Sequence, residues 1–215
     1  MSKKLDHNAL VSMFRAAAEK VKAGAGQLGQ LDSAIGDGDH GVAMARAMDA
    51  LLKGIDDCNT AACKNLLQGV AWSVMSIDAG STGPLTGSLL MGMAEPVGEA
   101  AEIDTQLLAS MFEAGLAKLR SISKAQVGDK TMIDALAPGV DALSAAASQG
   151  DGVAAALEKA AAAAEAGAES TKDFQARFGK ARNLGPRSIG HQDPGATSMA
   201  MFLRGCAEGA ASIEA

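Results

Sequence analysis

Apolar side chains recur along this chain at three- and four-residue intervals, and the runs are broken by glycine, proline and clusters of aspartate, serine and threonine. That period marks one buried face per helix. With the breaks read as start and stop signals, it predicts eight helices, over about residues 6–29, 40–54, 59–78, 84–99, 104–123, 130–148, 152–172 and 195–211. No stretch alternates apolar and polar positions for long enough to make a sheet. The run "AAALEKAAAAAEAGAE" sets Glu and Lys at helical intervals and suits a helix with close-packed neighbours.

One segment has no helical period. Residues 173–194, "DFQARFGKARNLGPRSIGHQDP", mix glycine, proline and basic side chains. Loops of that length inside a compact domain are uncommon and usually functional or disordered, and this one is expected to be a lid over a site in preference to a floppy connection. With no interior linker rich in proline or serine, residues 1–215 are expected to form one domain.

Composition sharpens the fold class. Methionine reaches 11, aromatic residues fall to 3%, and tyrosine is absent. Strands favour β-branched and aromatic side chains, whereas Ala, Leu, Met, Glu and Lys favour helices. The chain reads as all-α. Its net charge of −6 argues against sequence-independent nucleic-acid binding, which needs a basic face. The most apolar run, "PLTGSLLMGMAEPVG", is interrupted by glycines, a glutamate and a proline, so no membrane span is expected. The start, "MSKKLDHNAL", lacks the apolar core of a signal peptide. Cys58, Cys63 and Cys206 have no metal-ligand spacing, and a reducing cytoplasm is the simplest setting for them.

The candidate chemistry lies in the breaks. "GDGDHG" precedes the second expected helix, "GSTGP" the fourth, "VGDKT" the sixth and "HQDPGA" the eighth. In an up-and-down bundle alternate helices run the same way, so these four starts should share one end of the molecule. Unpaired N–H groups and the positive end of the dipole make a helix start attractive to phosphate. Asp32, Asp37 and Asp39 would repel a bare phosphate unless a cation lay between, and carboxylates plus phosphate oxygens are what magnesium uses. Any single start is explained by capping, with Asp39, Asp129 or Asp193 as the N-cap and Pro84 or Pro194 in the first turn. Four on one edge, with two further aspartates, point instead to a magnesium-bound nucleotide.

Other motifs fail. "GAGQLG" at 24–29 fits G-x-G-x-x-G but follows no strand, no P-loop signature occurs, and the calcium-loop spacing from Asp32 or Asp37 ends on Ala43 or Met48 instead of glutamate. His7 reads as a surface residue, while His40 and His191 lie within the glycine-rich loops.

"GDGDHG", "STGPLTG", "GDKTMIDAL" and "LGPRSIGHQDPGATS", in that order, resemble the nucleotide-binding L subunit of dihydroxyacetone kinase (DhaL) over about residues 29–204. The resemblance implies a closed barrel of eight antiparallel amphipathic helices carrying ADP or ATP and two magnesium ions on one rim. It implies that Asp32, Asp37 and Asp39 hold the metal. His40, Gly41, Val42 and Ala43 would touch the nucleotide, Ser81 and Thr82 the phosphates, and Ser123 and Met132 the nucleoside. Lys180, Asp193, Pro194 and Gly195 would close the site from the lid. Lys180 and Arg187 are candidates for shielding the transferring group, and no catalytic nucleophile is expected here. The partner implied is a K subunit holding dihydroxyacetone, with a phosphoprotein (M subunit) of the phosphoenolpyruvate-dependent sugar system recharging bound ADP. Alternatives are an ATP-dependent subunit acting on dihydroxyacetone or a ketotetrose such as erythrulose, a fatty-acid kinase, and a nucleotide-loaded adaptor without turnover. The chain departs from the family pattern at Ala43 and Ala45, where asparagines are common, and at Lys180, where the family has arginine.

Overall fold

Gly24 divides what the apolar spacing reads as one long first helix. A computed structural model describes residues 4–214, so residues 1–3 and 215 of the expected domain lie outside the described residues. Within them, α1 spans His7–Ala23 and α2 spans Ala25–Ile35. A side chain at Gly24 would put its Cβ 2.4 Å from Met201 Sδ. The Met201 thioether of the last helix packs against Gly24, and the first helix is divided there. Helix therefore runs six residues past the expected end at 29 and carries Asp32 on its last turn.

The other expected helices are present with shifts at their ends. They are α3 (His40–Asp56), α4 (Cys63–Met75), α5 (Thr82–Ala94), α6 (Thr105–Ile122), α7 (Ile133–Ser148), α8 (Val153–Ser170) and α9 (Pro194–Glu214). Capping sets several starts. Asp6 accepts the Ala9 N–H at 2.8 Å and Asp104 the Leu107 N–H at 2.9 Å, each binding one of the unpaired donors of a first turn. Among the described residues the sole β-type pairing is an isolated antiparallel bridge between Leu5 and Ile103. His7 departs from its expected surface position. It is half-buried at the first position of α1, and its Nε2 is buried with no hydrogen-bond partner.

The packing order closes on itself. α1 packs on α3, α3 on α4, α4 on α5, and so on through α9, which packs back on α1, while α2 lies against α3. Small residues bring the backbones together. A Cβ on Gly205 or Gly209 would lie 2.5 Å from Ala17 Cα or 2.8 Å from Met13 Cα on α1, and one on Gly92 would lie 2.8 Å from Gly115 Cα across α5 and α6. Alanine on α8 does the same: Ala156, Ala160, Ala161 and Ala164 are fully buried. Phe14, Phe112 and Phe202 sit in the core, with Phe14 and Phe202 6.1 Å apart between α1 and α9, whereas Trp72 is exposed. No described helix is long and apolar enough to cross a membrane.

The α1–α9 contact makes the first expected outcome. Gly205→Ala adds a methyl where no space exists, and overpacking of this kind costs about 1–3 kcal/mol. The melting temperature should fall by several degrees, whereas Gly26→Ala, which faces open space, should leave it unchanged or raise it.

Candidate functional site

The four glycine-rich helix starts meet at one end of the molecule, around a cavity of about 460 Å³. That volume lies in the range of small-molecule and cofactor sites. The segment from Asp32 to Met44 forms one wall and Ala79–Thr86 a second. Residues 123–133 form a third, while Phe178–Ala181 of the lid and Asp193–Met199 complete it.

The first wall answers for its glycines. One oxygen from each of Asp32, Asp37 and Asp39 lies within 4.8 Å of the others. Asp32 is buried, and a Cβ on Gly36 would stand 2.3 Å from its Oδ1, so glycine leaves room for the carboxylate. Gly38 has φ of +80°, in the left-handed region where glycine carries no Cβ penalty, and it turns Asp37 and Asp39 back toward Asp32. Asp32 Oδ2 accepts the His40 N–H at 3.2 Å, tying the end of α2 to the start of α3. Gly41 serves the same junction, because a Cβ there would meet Ala25 O at 2.0 Å.

Like charges this close need compensation. Lys180, on the lid, supplies it: its ammonium donates to Asp37 Oδ2 and, at 3.3 Å, to Asp39 Oδ2. The hydrogen bond from Lys180 holds the Asp37 carboxyl below the usual carboxylate range, and the Lys180 ammonium is correspondingly raised. A cation is therefore already seated on two of the three carboxylates. Hard oxygen donors so arranged suit a divalent ion of the magnesium kind.

His40 is half-buried, with Nε2 3.1 Å from Ser198 Oγ. Ser198 Oγ donates to Gly195 O at 2.9 Å, leaving its lone pairs for the imidazole N–H. Desolvation lowers the His40 pKa, with the charges of Asp32 and Asp39 opposing. The three candidate cap aspartates have different fates. Asp193 does cap α9, accepting the Ala196 N–H at 2.7 Å. Asp39 occupies the N-cap position of α3 without a side-chain cap bond. Asp129 accepts the Gln126 N–H at 2.8 Å and lies 3.5 Å from the Arg177 guanidinium, so it shapes its own loop. Pro194 opens α9 as expected, while Pro84 falls at the third residue of α5.

Of the site residues expected from sequence, Asp32, Asp37, Asp39, His40, Ala43, Ser81, Thr82, Ser123, Met132, Lys180, Asp193, Pro194 and Gly195 all line the cavity. Gly41, Val42, Arg187 and His191 are not among the lining residues. Val42 is 57% exposed and Gly41 is packed on α2. Sequence reasoning passed over Thr86, Lys130, Thr131, Phe178 and Ser198, which also line it. Lys130 and Thr131 stand in the "GDKT" stretch, where a lysine beside an aspartate between two helices was the available signal. Phe178 had only its position in the lid.

Residues 34–208 match the model of the DAK2 domain. The chain is 38% identical over 185 residues to the ADP-binding subunit DhaL of PEP-dependent dihydroxyacetone kinase 1 from Listeria innocua, covering 86% of this chain and 87% of that one. It is 38% identical over 173 residues to the ADP-binding subunit DhaL of the PEP-dependent dihydroxyacetone kinase of Escherichia coli K12, covering 80% and 82%. A solved structure of the dihydroxyacetone kinase of C. freundii, in complex with AMP-PNP and Mg2+, superposes with a TM-score of 0.73 at 24% identity. That match covers 97% of this chain and 35% of the other, and it shows a shared fold.

Burial gives this site a pH signature. It pushes the Asp193 carboxyl up to about 7 from an ordinary 3.8, against the opposing pull of the Ala196 N–H and the Lys130 charge. The folded protein thus holds this proton more tightly than the unfolded chain. The resulting stability is fully present below about pH 4 and is lost as pH rises through about 7. Asp193→Asn keeps an oxygen for the Ala196 N–H and should flatten that part of the melting-temperature profile. A variant profile parallel to the wild type would show that Asp193 does not titrate in this way.

Proposed function

This chain belongs to the DAK2 domain family, and we propose that it is the nucleotide-binding subunit of a dihydroxyacetone kinase. In this reading it carries ADP or ATP with two magnesium ions and delivers phosphate to dihydroxyacetone held on a separate K subunit. The observation that carries the proposal is the convergence of four helix starts and three carboxylates on one cavity.

The residues fit the roles this requires. Asp32, Asp37 and Asp39 are the proposed magnesium ligands, with Gly36 and Gly38 giving them room to converge. When bound, the magnesium ions neutralise phosphate oxygens and so let a polyphosphate lie beside three carboxylates. The backbone N–H groups at the start of α5, with the Ser81 and Thr82 hydroxyls, are placed to bind phosphate oxygens. Ser123 and Met132 face the same cavity from the third wall and are proposed for the nucleoside. A metal held by Asp37 and Asp39 would leave the Lys180 ammonium free to meet phosphate oxygens. Phosphoryl transfer needs chiefly positioning and charge neutralisation. No nucleophile on this chain is required.

The PEP-dependent relatives support a donor scheme in which ADP stays bound and is recharged by a phosphoprotein M subunit. Lys180 and Ala43, where the family commonly has arginine and asparagine, keep the ATP-dependent scheme with dihydroxyacetone or erythrulose in view. One experiment separates these from an adaptor role. The chain is mixed with a K-type subunit and either ketose, then supplied with ATP or with the phosphoenolpyruvate relay. Product with the relay alone supports the first scheme and product with ATP alone the second. Nucleotide binding without product from either donor would leave the adaptor reading standing.

The metal assignment is tested on the isolated chain. Asp37→Asn removes a charged ligand and should weaken magnesium-dependent ADP binding by about a hundredfold, with helix content unchanged. Thr82→Ala should cost only about fivefold, since backbone groups carry most of the cradle. Unaltered ADP affinity in Asp37→Asn, measured by calorimetry, would remove Asp37 from the metal site.

A further inference from the structure

Lys130 is 2% exposed, yet it carries an ammonium group that neither the metal nor the phosphate assignment uses. It is also the one non-glycine residue with positive φ, +62°, among the described residues. Both features are costly, since a charge loses its hydration and a residue with a Cβ leaves its preferred backbone region. Something must hold it there.

The ammonium donates to two backbone carbonyls, Thr171 O and His191 O. These carbonyls lie at opposite ends of the lid, the first where α8 runs out and the second just before α9. The same two ends are joined again around it. The Asp193 N–H donates to Thr171 Oγ1 at 2.8 Å, and the Gly190 N–H donates to Lys172 O at 2.7 Å. Thr171 Oγ1 donates in turn to Ala168 O at 2.6 Å, which fixes its lone pairs toward Asp193. Around the ammonium, the charges of Asp193, Asp134 and Asp173 oppose the desolvation that lowers its pKa. The neighbouring Asp129 O accepts the Arg177 N–H at 3.1 Å, so the same loop also grips the lid from below.

We infer that Lys130 is a positioning residue: it clasps the two feet of the lid together and thereby sets Phe178 in the cavity wall and Lys180 on Asp37 and Asp39. Charge-assisted bonds to carbonyls are stronger than neutral ones. A lysine reaching both feet replaces the loop-closure entropy that a 20-residue segment otherwise retains. The lid is then a closed loop whose two ends share one base. Its effect on nucleotide retention rests on the nucleotide reading above; its effect on the lid does not.

The lid carries its own reporters, because Arg177, Lys180, Arg182 and Arg187 are exposed trypsin sites. Lys130→Met should speed the first cleavage within residues 177–187 by about tenfold, with helical circular dichroism unchanged. Lys130→Arg, which keeps the charge and two donors, should restore most of the protection. ADP with magnesium should leave Lys130→Met about tenfold faster than the wild type. Lid cleavage at the wild-type rate in folded Lys130→Met would overturn the inference, as would cleavage of Lys130→Arg at the rate of Lys130→Met. Should Lys130→Met not fold, Lys130→Gln removes the charge and the reach to both carbonyls while keeping a polar group. It should also expose the lid, and an unchanged lid there would overturn the clasp. Faster lid cleavage in a protein that binds no ADP would uphold the clasp and remove the nucleotide reading instead.

Discussion

Three carboxylate oxygens held within 4.8 Å repel one another, and the end of the molecule that carries them is organised by that repulsion. In water such groups would separate. Here they cannot, because Asp32 is fixed on the last turn of α2 and Asp39 at the start of α3, with a three-residue turn between. The stress is relieved by a positive charge delivered from the lid, more than 140 positions along the chain. That contact ties the first wall to the lid, and the lid to the ordered base beneath it.

The helical frame makes this arrangement affordable. Backbones approach closely at Gly205 and Ala17, at Gly92 and Gly115, and along the alanines of α8. Close-packed small residues leave few rotamers to order, so the helix ends are held firmly while the side chains at the rim stay polar. Gly41 shows the two requirements meeting in one atom: the missing Cβ that lets α3 touch Ala25 O also brings the "DHG" turn against the carboxylates. Packing and chemistry therefore constrain the same residue, and neither alone explains it.

Helix positions were legible because their period and their breaks are both local. Seven of the expected helices appear near their expected places, and the four polar starts share one cavity. The first helix departs from expectation at Gly24, where the Met201 thioether of α9 packs closely, a contact that no local window contains. Asp32 was accordingly read as a loop residue, although its identity as a cavity carboxylate did not depend on that. His7 was misplaced similarly, since its burial follows from tertiary packing at the start of α1. Lys130 escaped notice because a lysine next to an aspartate in a glycine-containing loop is ordinarily solvated. Its partners are carbonyls 41 and 61 positions away, and carbonyls carry no sequence signature.

The capping explanation deserves its due, because for one of the three aspartates it is correct. Asp193 caps α9, yet it also lines the cavity, so a cap and a site residue are not rival descriptions. Lys180 carries the argument further. An arginine at this position would meet two carboxylates with a rigid planar fork and hold them strongly. A lysine presents a compact, well-hydrated charge on a flexible stem, which water can reclaim more readily. An ammonium therefore holds Asp37 and Asp39 less firmly than a guanidinium would, while the carboxylates' need for a cation is the same. A cation competing for those carboxylates would thus displace an ammonium more readily than a guanidinium.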